Sequence, residues 1–158
     1  MRAPKWITNL KRQVELGHRH QKYGDQPYMY HIWDVVEETK AILSARGIGE
    51  DHPEYWNYIG VSMAHDLKED CGVKDSTLYA IGCPDVVVVG INCMTKLKGE
   101  TRQYYIMNRV LSNKYSHVSK QADSLCNLKQ SIRENALQRI LKYTDNLRMM
   151  AVEVHYGT

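Results

Sequence analysis

The sequence lacks any apolar run that approaches the length of a membrane-spanning helix, so no membrane partner is expected. The N-terminal stretch MRAPKWITNLKRQ is basic but has no apolar core of the kind found in signal peptides. Internal repeats, low-complexity tracts and Gly/Ser/Pro-rich linkers are also missing. These absences predict a single domain over residues 1–158 and a cytoplasmic location.

Cysteine pairs and strong charge are missing too. The four cysteines (Cys71, Cys83, Cys93 and Cys126) are scattered without a C-x-x-C pair, so we expect reduced thiols and no thiolate zinc site. The formal net charge is only +3, and no long Lys/Arg run or nucleic-acid motif occurs, so no nucleic-acid partner is expected. A slight positive charge can still attract a phosphorylated small molecule.

Two common catalytic motifs are absent. The sequence contains neither G-x-x-x-x-G-K-[ST] nor G-x-S-x-G, so it predicts neither a P-loop nor a nucleophile elbow. Any chemistry must therefore come from a different constellation of side chains.

Helical periodicity is present along most of the chain. Apolar residues at three- and four-residue spacing predict helices over 4–20, from about His31 to Gly47, and over 54–70, with Gly72 able to end the third. Short helices are expected from Asp75 or Ser76 to Ile81 and after Pro84. Further helices are predicted over about 101–113, 115–130 and 133–153.

The run DVVVVGIN is the ambiguous segment, because consecutive valines favour a strand. No second strand candidate is available, and an isolated strand would leave its backbone groups without partners. We therefore interpret this run as a buried helix. The predicted fold class is an all-α bundle of about seven or eight helices.

Histidine and acidic side chains crowd the end of the third predicted helix, in MAHDLKEDCG. On a continuous helix, residues four apart differ by only about 40° of rotation, so His65 would lie above Glu69 and Asp66 above Asp70. Three neighbouring carboxylates repel one another unless one is protonated or a cation binds. A solvated helix end is the alternative, but the apolar stretch YIGVSMA leads directly into His65. We therefore predict a cation site with further ligands from elsewhere in the chain.

A resemblance to a known family arises from the order His31, His65-Asp66 and Asp123, which is similar to the H…HD…D signature of the HD-domain metal-dependent phosphohydrolases. Four segments resemble one branch of it: PYMYH (27–31, compare P-Y-x-x-H), AHDLKED (64–70, compare L-H-D-x-x-E-D), MTKLKGETR (94–102, compare the T-K segment) and KQADSLCNLK (120–129, compare K-x-A-D-x-x-x-N-L-R). That branch is the guanosine tetra- and pentaphosphate (ppGpp) 3′-pyrophosphohydrolases, namely the Rel/SpoT hydrolase domain and its small stand-alone relatives, which include metazoan SpoT homologues. The resemblance runs from about residue 14 to residue 130 and implies a helical HD domain.

The resemblance implies a role for each matching residue. It assigns one Mn²⁺ ion per chain to His31, His65, Asp66 and Asp123. It implies that Glu69 and Asp70 position the attacking water and shuttle its proton, and that Asn127 contacts the nucleotide sugar. The candidates for binding phosphates are Lys96, Lys98, Arg102 and Lys129, for which an ordinary solvated surface position is the alternative.

The sequence departs from the family where the guanine base would bind. The family often has an Arg-Lys pair that stacks on guanine, whereas Lys22 and Tyr23 occupy that region here. A tyrosine can stack on a base but does not replace the cation. Ile32 and Ser124 stand where the family commonly has proline and arginine, and Lys129 where it more often has arginine. These changes affect base specificity more than metal chemistry.

The function implied by the resemblance is Mn²⁺-dependent hydrolysis of the 3′-pyrophosphate of ppGpp or pppGpp, the alarmones of the stringent response, to GDP or GTP and pyrophosphate. Two alternatives stay open. One is an HD-domain phosphatase for another nucleotide, such as a nucleoside monophosphate or NADPH. The other is a catalytically silent HD domain that binds a nucleotide. The helices beyond about residue 131 could close the core or form a homo-oligomer interface.

Overall fold

The computed structural model describes residues 3–156, which form α-helices joined by short loops. The elements are α1 (Lys5–His18), β1 (Lys22–Tyr23), β2 (Gln26–Pro27), α2 (Tyr28–Ala45), α3 (Tyr55–Met63), α4 (Leu67–Cys71), α5 (Asp75–Ala80), α6 (Asp85–Met94), α7 (Arg102–Asn108), a 3-10 helix (Val110–Ser112), α8 (Lys114–Arg133) and α9 (Leu137–Met150). The predicted all-α class is confirmed. The single-domain prediction also covers residues 1–2 and 157–158, which lie outside the described residues, and it stays a prediction.

The central element is α8, which packs against α2, α3, α6 and α9. It presents small polar side chains to its neighbours: Ser116, Ser119 and Ser124 are fully buried. Because these side chains are short, neighbouring helices can approach α8 closely. Within 3–156, no helix is both long and apolar enough to cross a lipid bilayer. All four cysteines are free.

The ambiguous run DVVVVGIN forms α6, so its interpretation as a helix is confirmed. Val87 and Val88 are buried whereas Val86 and Val89 are exposed, a pattern that follows the helical period. Gly90 explains how α6 approaches α3, since a Cβ atom there would lie 2.6 Å from Cγ2 of Val61. Burial against α3 and α8 therefore overrides the strand propensity of the valines.

The third predicted helix, 54–70, is wrong as a continuous element. Met63 ends α3, and residues 64–66 form a turn before α4 begins at Leu67. The side chain of His65 contributes to this break: 2.8 Å separate its Nδ1 atom from the carbonyl oxygen of Ser62, in the last turn of α3. Such terminal carbonyls lack partners within the helix, and the imidazole supplies one. The predicted stacking of His65 on Glu69 and of Asp66 on Asp70 along one helix is therefore corrected.

The segment between the first two predicted helices contains a short antiparallel hairpin. Lys22 pairs with Pro27 and Tyr23 with Gln26, and Gly24 takes a φ of +59° in the turn. The strands have two residues each, too few to show a two-residue period in the sequence. Helix α2 begins at Tyr28, directly after Pro27 and earlier than expected. The end of the predicted helix over 101–113 is likewise a separate 3-10 helix.

Candidate metal centre

The residues predicted as metal ligands converge from distant parts of the chain. His31 of α2 and His65 and Asp66 of the α3–α4 turn each offer a ligand atom, and these atoms lie within 4.8 Å of one another. Asp123 of α8 joins them, with Oδ1 3.3 Å from Nε2 of His31 and 3.6 Å from Nε2 of His65. We call these residues (His31, His65, Asp66 and Asp123) the floor of the site.

The environment of His65 fits a metal ligand. The ring is fully buried, and its Nδ1 atom can donate to the Ser62 carbonyl. Its Nε2 atom lies 2.8 Å from Oδ2 of Asp66, close enough for an ion pair, but it makes no hydrogen bond of acceptable geometry to any described residue. A ring fixed by a backbone carbonyl through one nitrogen, with the other turned towards carboxylates, is the usual arrangement of a metal-binding histidine.

The floor perturbs the ionisation of its own members. Burial would lower the pKa of His65, but Asp66 and Asp123 raise it to about 9. Burial would raise the pKa of Asp66, but the neighbouring imidazole lowers it to about 2. The pKa of Asp123 is also held below its usual range against burial, mainly by Lys120. Without an ion, the positive charges of His65 and Lys120 thus compensate the floor carboxylates.

Lys120 is a site residue that sequence reasoning did not single out. Its Nζ atom lies 2.8 Å from Oδ2 of Asp123, and its side chain is largely buried. Burial would lower the pKa of Lys120, but Asp123, Tyr105 and Asp66 raise it. A signal was available, because Lys120 lies three residues before Asp123 on a helix and opens the motif-bearing segment KQADSLCNLK.

Aromatic and amide side chains surround the floor histidine of α2. The ring of Tyr23 stacks on His31 at 4.5 Å between centroids and 15° between planes. The Tyr23 hydroxyl donates to Oδ1 of Asn127 over 2.7 Å, and Nδ2 of Asn127 donates to Oδ1 of Asp123 over 2.6 Å. Tyr28 adds a hydrogen bond from its hydroxyl to Oδ2 of Asp66. Tyr23 and Asn127 therefore support the floor directly.

A cavity of about 460 Å³ opens above the floor. Besides floor residues it is lined by the predicted residues Tyr23, Glu69, Asp70, Lys96, Arg102 and Asn127, and by the unpredicted residues Tyr28, Tyr105, Ile106, Lys120, Lys142, Tyr143 and Asn146. We call the cationic residues Lys96, Arg102 and Lys142 the mouth. Lys142, Tyr143 and Asn146 belong to α9, where no sequence motif identified them.

Glu69 faces this cavity. It keeps contact with solvent, yet partial burial against the cavity wall raises the pKa of its carboxyl group above the usual value. Its Oε1 atom accepts a hydrogen bond of 2.7 Å from the backbone N–H of Lys96, which ties α4 to the loop after α6. Glu69 is thus held at the cavity wall and can exchange protons with solvent.

Three predicted phosphate or base contacts lie outside this cavity. Lys22 and Lys98 are exposed and do not line it. Lys129 lines a neighbouring cavity of about 310 Å³ and forms an ion pair of 2.5 Å with Glu38. Arg102 does line the cavity, but its guanidinium also pairs with Asp145 over 2.6 Å. The binding roles of all these cations stay predictions.

Comparisons with known proteins identify the fold. The structure resembles that of a metazoan ortholog of SpoT, described as hydrolysing ppGpp and playing a role in starvation responses. The two share 20% sequence identity with a TM-score of 0.66, and the match covers 94% of this chain and 88% of the other. No protein-family model and no curated protein sequence matches the chain. The relationship predicted from the motifs is therefore confirmed at the level of the fold.

Proposed function

We propose that the chain is a Mn²⁺-dependent phosphohydrolase that removes the 3′-pyrophosphate of ppGpp and pppGpp. Water would replace the 3′-oxygen at the proximal phosphorus, giving GDP or GTP and pyrophosphate. The observation that carries this proposal is the convergence of the floor residues beneath a cavity that also holds Glu69 and Asp70. The ppGpp hydrolysis described for the structural neighbour supports the choice of substrate.

The donor set fits a divalent ion. Two imidazole nitrogens and two carboxylates form a mixed nitrogen and oxygen set, which suits Mn²⁺ among other ions. When bound, such an ion supplies Lewis-acid polarisation of a phosphate and lowers the pKa of a coordinated water. In the part of the chain that the structure describes, His31, His65 and Asp66 form the one group of three or more such side chains whose ligand atoms lie within 4.8 Å of one another, which supports one ion per chain.

Glu69 and Asp70 are proposed to move the protons of the reaction. Both carboxyl groups line the cavity next to the floor. The raised pKa of Glu69, caused by the enclosing walls, brings its protonation closer to neutral pH, as a general acid or base requires. Asp70 would orient the attacking water. The neighbouring mouth residues would hold the phosphates of the substrate as charge-assisted hydrogen-bond donors.

A second candidate function follows from the position of Tyr23. One face of its ring lies against His31 and its hydroxyl is bonded to Asn127, so the side chain has structural tasks besides any contact with a base. In the sequence, Lys22 and Tyr23 stand where the family often has an Arg-Lys pair. The site would then accept another phosphorylated nucleotide, such as NADPH or a nucleoside monophosphate.

Product analysis tests both functions. The purified, chelator-stripped protein would be incubated with ppGpp, NADPH and nucleoside monophosphates, with and without Mn²⁺. Mn²⁺-dependent pyrophosphate release from ppGpp is expected, and orthophosphate release from another nucleotide would favour the second candidate. Absence of turnover with all of them would reject both.

Matched variants connect any turnover to the floor. Asp66→Ala should abolish activity and Mn²⁺ binding while the helical circular dichroism persists, because it removes a ligand that is partly accessible. His155→Ala is the control, since this histidine is exposed and distant from the floor in the chain, and it should keep full activity. Full activity of Asp66→Ala would contradict the proposed metal site.

A further inference from the structure

We propose that His18 and Gln21 are positioning residues that fix the carboxylate of Asp70, an inference whose catalytic consequence rests on the proposed function. Both residues lie around the end of α1, before the hairpin. The Nδ1 atom of His18 is 2.7 Å from Oε1 of Gln21, and Nε2 of Gln21 donates to Oδ2 of Asp70 over 2.7 Å. A chain of two hydrogen bonds thus connects a buried imidazole to the proposed water-orienting group.

The direction of these two hydrogen bonds follows from the chemistry of Asp70 and His18, the groups that Gln21 connects. An ionised carboxylate only accepts hydrogen bonds, so the Gln21 amide must present its NH₂ group to Asp70. Its carbonyl oxygen then faces His18 and needs a donor. The imidazole of His18 must therefore carry a proton on Nδ1. If the Gln21 amide were rotated by 180°, its oxygen would face the carboxylate oxygen of Asp70, and no hydrogen bond could form.

Gln21 is fixed through its backbone as well. Its N–H donates to the carbonyl of His18 over 3.0 Å, closing the turn that follows α1. Its own carbonyl accepts from the N–H of Tyr28 over 3.0 Å, at the base of the hairpin. The side chain of Gln21 therefore starts from an anchored position, and the loss of rotational freedom on binding Asp70 is small.

The ring of His18 is equally constrained, with an exposed fraction of 1%. It stacks on Tyr28 at 4.8 Å between centroids and 24° between planes, and the Tyr28 hydroxyl donates to Asp66. On α4, Sγ of Cys71 lies 3.6 Å from Nδ1 of His18. One buried imidazole thus supports two carboxylates, Asp70 through Gln21 and Asp66 through Tyr28.

Close packing of α1 against α4 maintains this arrangement. A Cβ atom on Gly17 would lie 2.9 Å from Sγ of Cys71 and 3.0 Å from Cδ1 of Leu67. The end of α1 therefore approaches α4 at a distance that only glycine allows. Asp70 itself is exposed, so without the bond from Gln21 its side chain would be free to adopt several rotamers.

Kinetic variants test the positioning role. Gln21→Met keeps the length of the side chain but removes both hydrogen bonds, and should lower kcat about tenfold while KM changes less than twofold. His18→Phe keeps the stacking on Tyr28 but loses the donor, and should act similarly. His18→Asn places an amide N–H close to the position of Nδ1 and should recover part of the loss. His20→Phe is the matched control, because His20 is exposed, and should match the wild type.

A double-mutant cycle identifies the residue through which Gln21 acts. In an Asp70→Asn background, Gln21→Met should cause no further loss of kcat, because the orientation it supports is already impaired. A wild-type kcat for Gln21→Met would overturn the inference. So would a further tenfold fall in the Asp70→Asn background, since Gln21 would then act independently of Asp70.

A spectroscopic measurement separates this inference from the proposed function. Nitrogen-15 NMR of the metal-free protein should show His18 as the Nδ1–H form, with its signal identified by its loss in His18→Phe. Gln21→Met and Asp70→Ala should both change that signal, whereas His20→Phe should not. An Nε2–H form in the wild type, or no response to Asp70→Ala, would overturn the inference even if ppGpp is hydrolysed. If no nucleotide is hydrolysed, the proposed function fails while these spectra still decide the inference.

Discussion

The floor and the mouth of the cavity are built from similar charged side chains, but they are embedded differently. In the floor, the Asp123 carboxylate is 6% exposed and lies between Lys120 and two imidazoles. At the mouth, Arg102 and its partner Asp145 are 39% and 33% exposed. Removing one partner of a buried pair leaves an uncompensated charge, whereas water replaces the partner at an exposed pair. We therefore expect an ion pair to contribute substantially to the stability of the fold in the floor but not at the mouth.

The largest effect is expected from breaking the buried ion pair between Lys120 and Asp123. Asp123→Ala should lower the free energy of unfolding by about 3–5 kcal/mol, because it leaves the charge of Lys120 buried without its main partner. The double variant Asp123→Ala/Lys120→Met should recover most of this loss. Urea unfolding in the presence of a chelator measures both.

The mouth provides the control for that experiment. Asp145→Ala removes the partner of Arg102 and should cost less than about 1 kcal/mol, as is typical of exposed pairs. Equal losses for Asp123→Ala and Asp145→Ala would show that burial does not distinguish the two regions.

An intermediate effect concerns the mouth alone. Arg102→Gln should raise KM for a phosphorylated substrate several-fold and leave kcat within about twofold, because it removes a charge that we propose attracts phosphate and leaves the floor unchanged. The KM of the variant should also depend less on salt than that of the wild type. Steady-state kinetics at two ionic strengths measure this. Lys11→Gln, an exposed cation of α1, should keep the wild-type KM.

The smallest expected effect lies away from both regions, at His117. Burial lowers the pKa of this imidazole, which contacts the carbonyl of Met150 at 2.9 Å and the hydroxyl of Tyr156 at 2.8 Å. The unfolded chain takes up the proton near pH 6.5, whereas the folded protein resists it. The contribution of His117 to stability is therefore complete above pH 6.5 and falls as the pH drops below that value.

The comparison of wild type with His117→Gln isolates this contribution, because both chains share all other titrating groups. The wild type should lose more stability than the variant between pH 7.5 and pH 5.5, by less than about 1.4 kcal/mol for each unit of pKa difference. Thermal unfolding at the two pH values measures the difference. Parallel losses in both proteins would contradict a role for His117.

Sequence reasoning predicted the floor better than the mouth for a physical reason. Metal chemistry restricts residue types, so His31, His65, Asp66 and Asp123 stand out in the sequence. The structure brings these four side chains together, whereas their binding of Mn²⁺ stays a prediction. Phosphate contacts can come from any lysine or arginine whose side chain extends into the cavity. Which of them do so depends on the tertiary structure and cannot be read from the local sequence.

The limits of the fold prediction have similar causes. The all-α class followed from helical periodicity and from the lack of a partner for DVVVVGIN, and it is confirmed. The break at residues 64–66 was missed because it depends on a side-chain contact between His65 and the carbonyl of Ser62. Lys142 was missed because α9 reaches the cavity by packing on α8 and α7, and no local sequence pattern reveals that packing.

The separation of the floor residues along the chain has a consequence for biosynthesis. His31, His65 and Asp66 leave the ribosome well before Asp123, and α8 must still pack between α2 and α3 before the ligand set is complete. Contacts between such distant segments form late, because the entropy of closing the long intervening loops opposes them. We therefore expect that an ion bound at this centre would not nucleate folding. If the floor binds an ion as proposed, the ion would load onto nearly finished molecules, and metal shortage would leave folded apoprotein rather than misfolded chains.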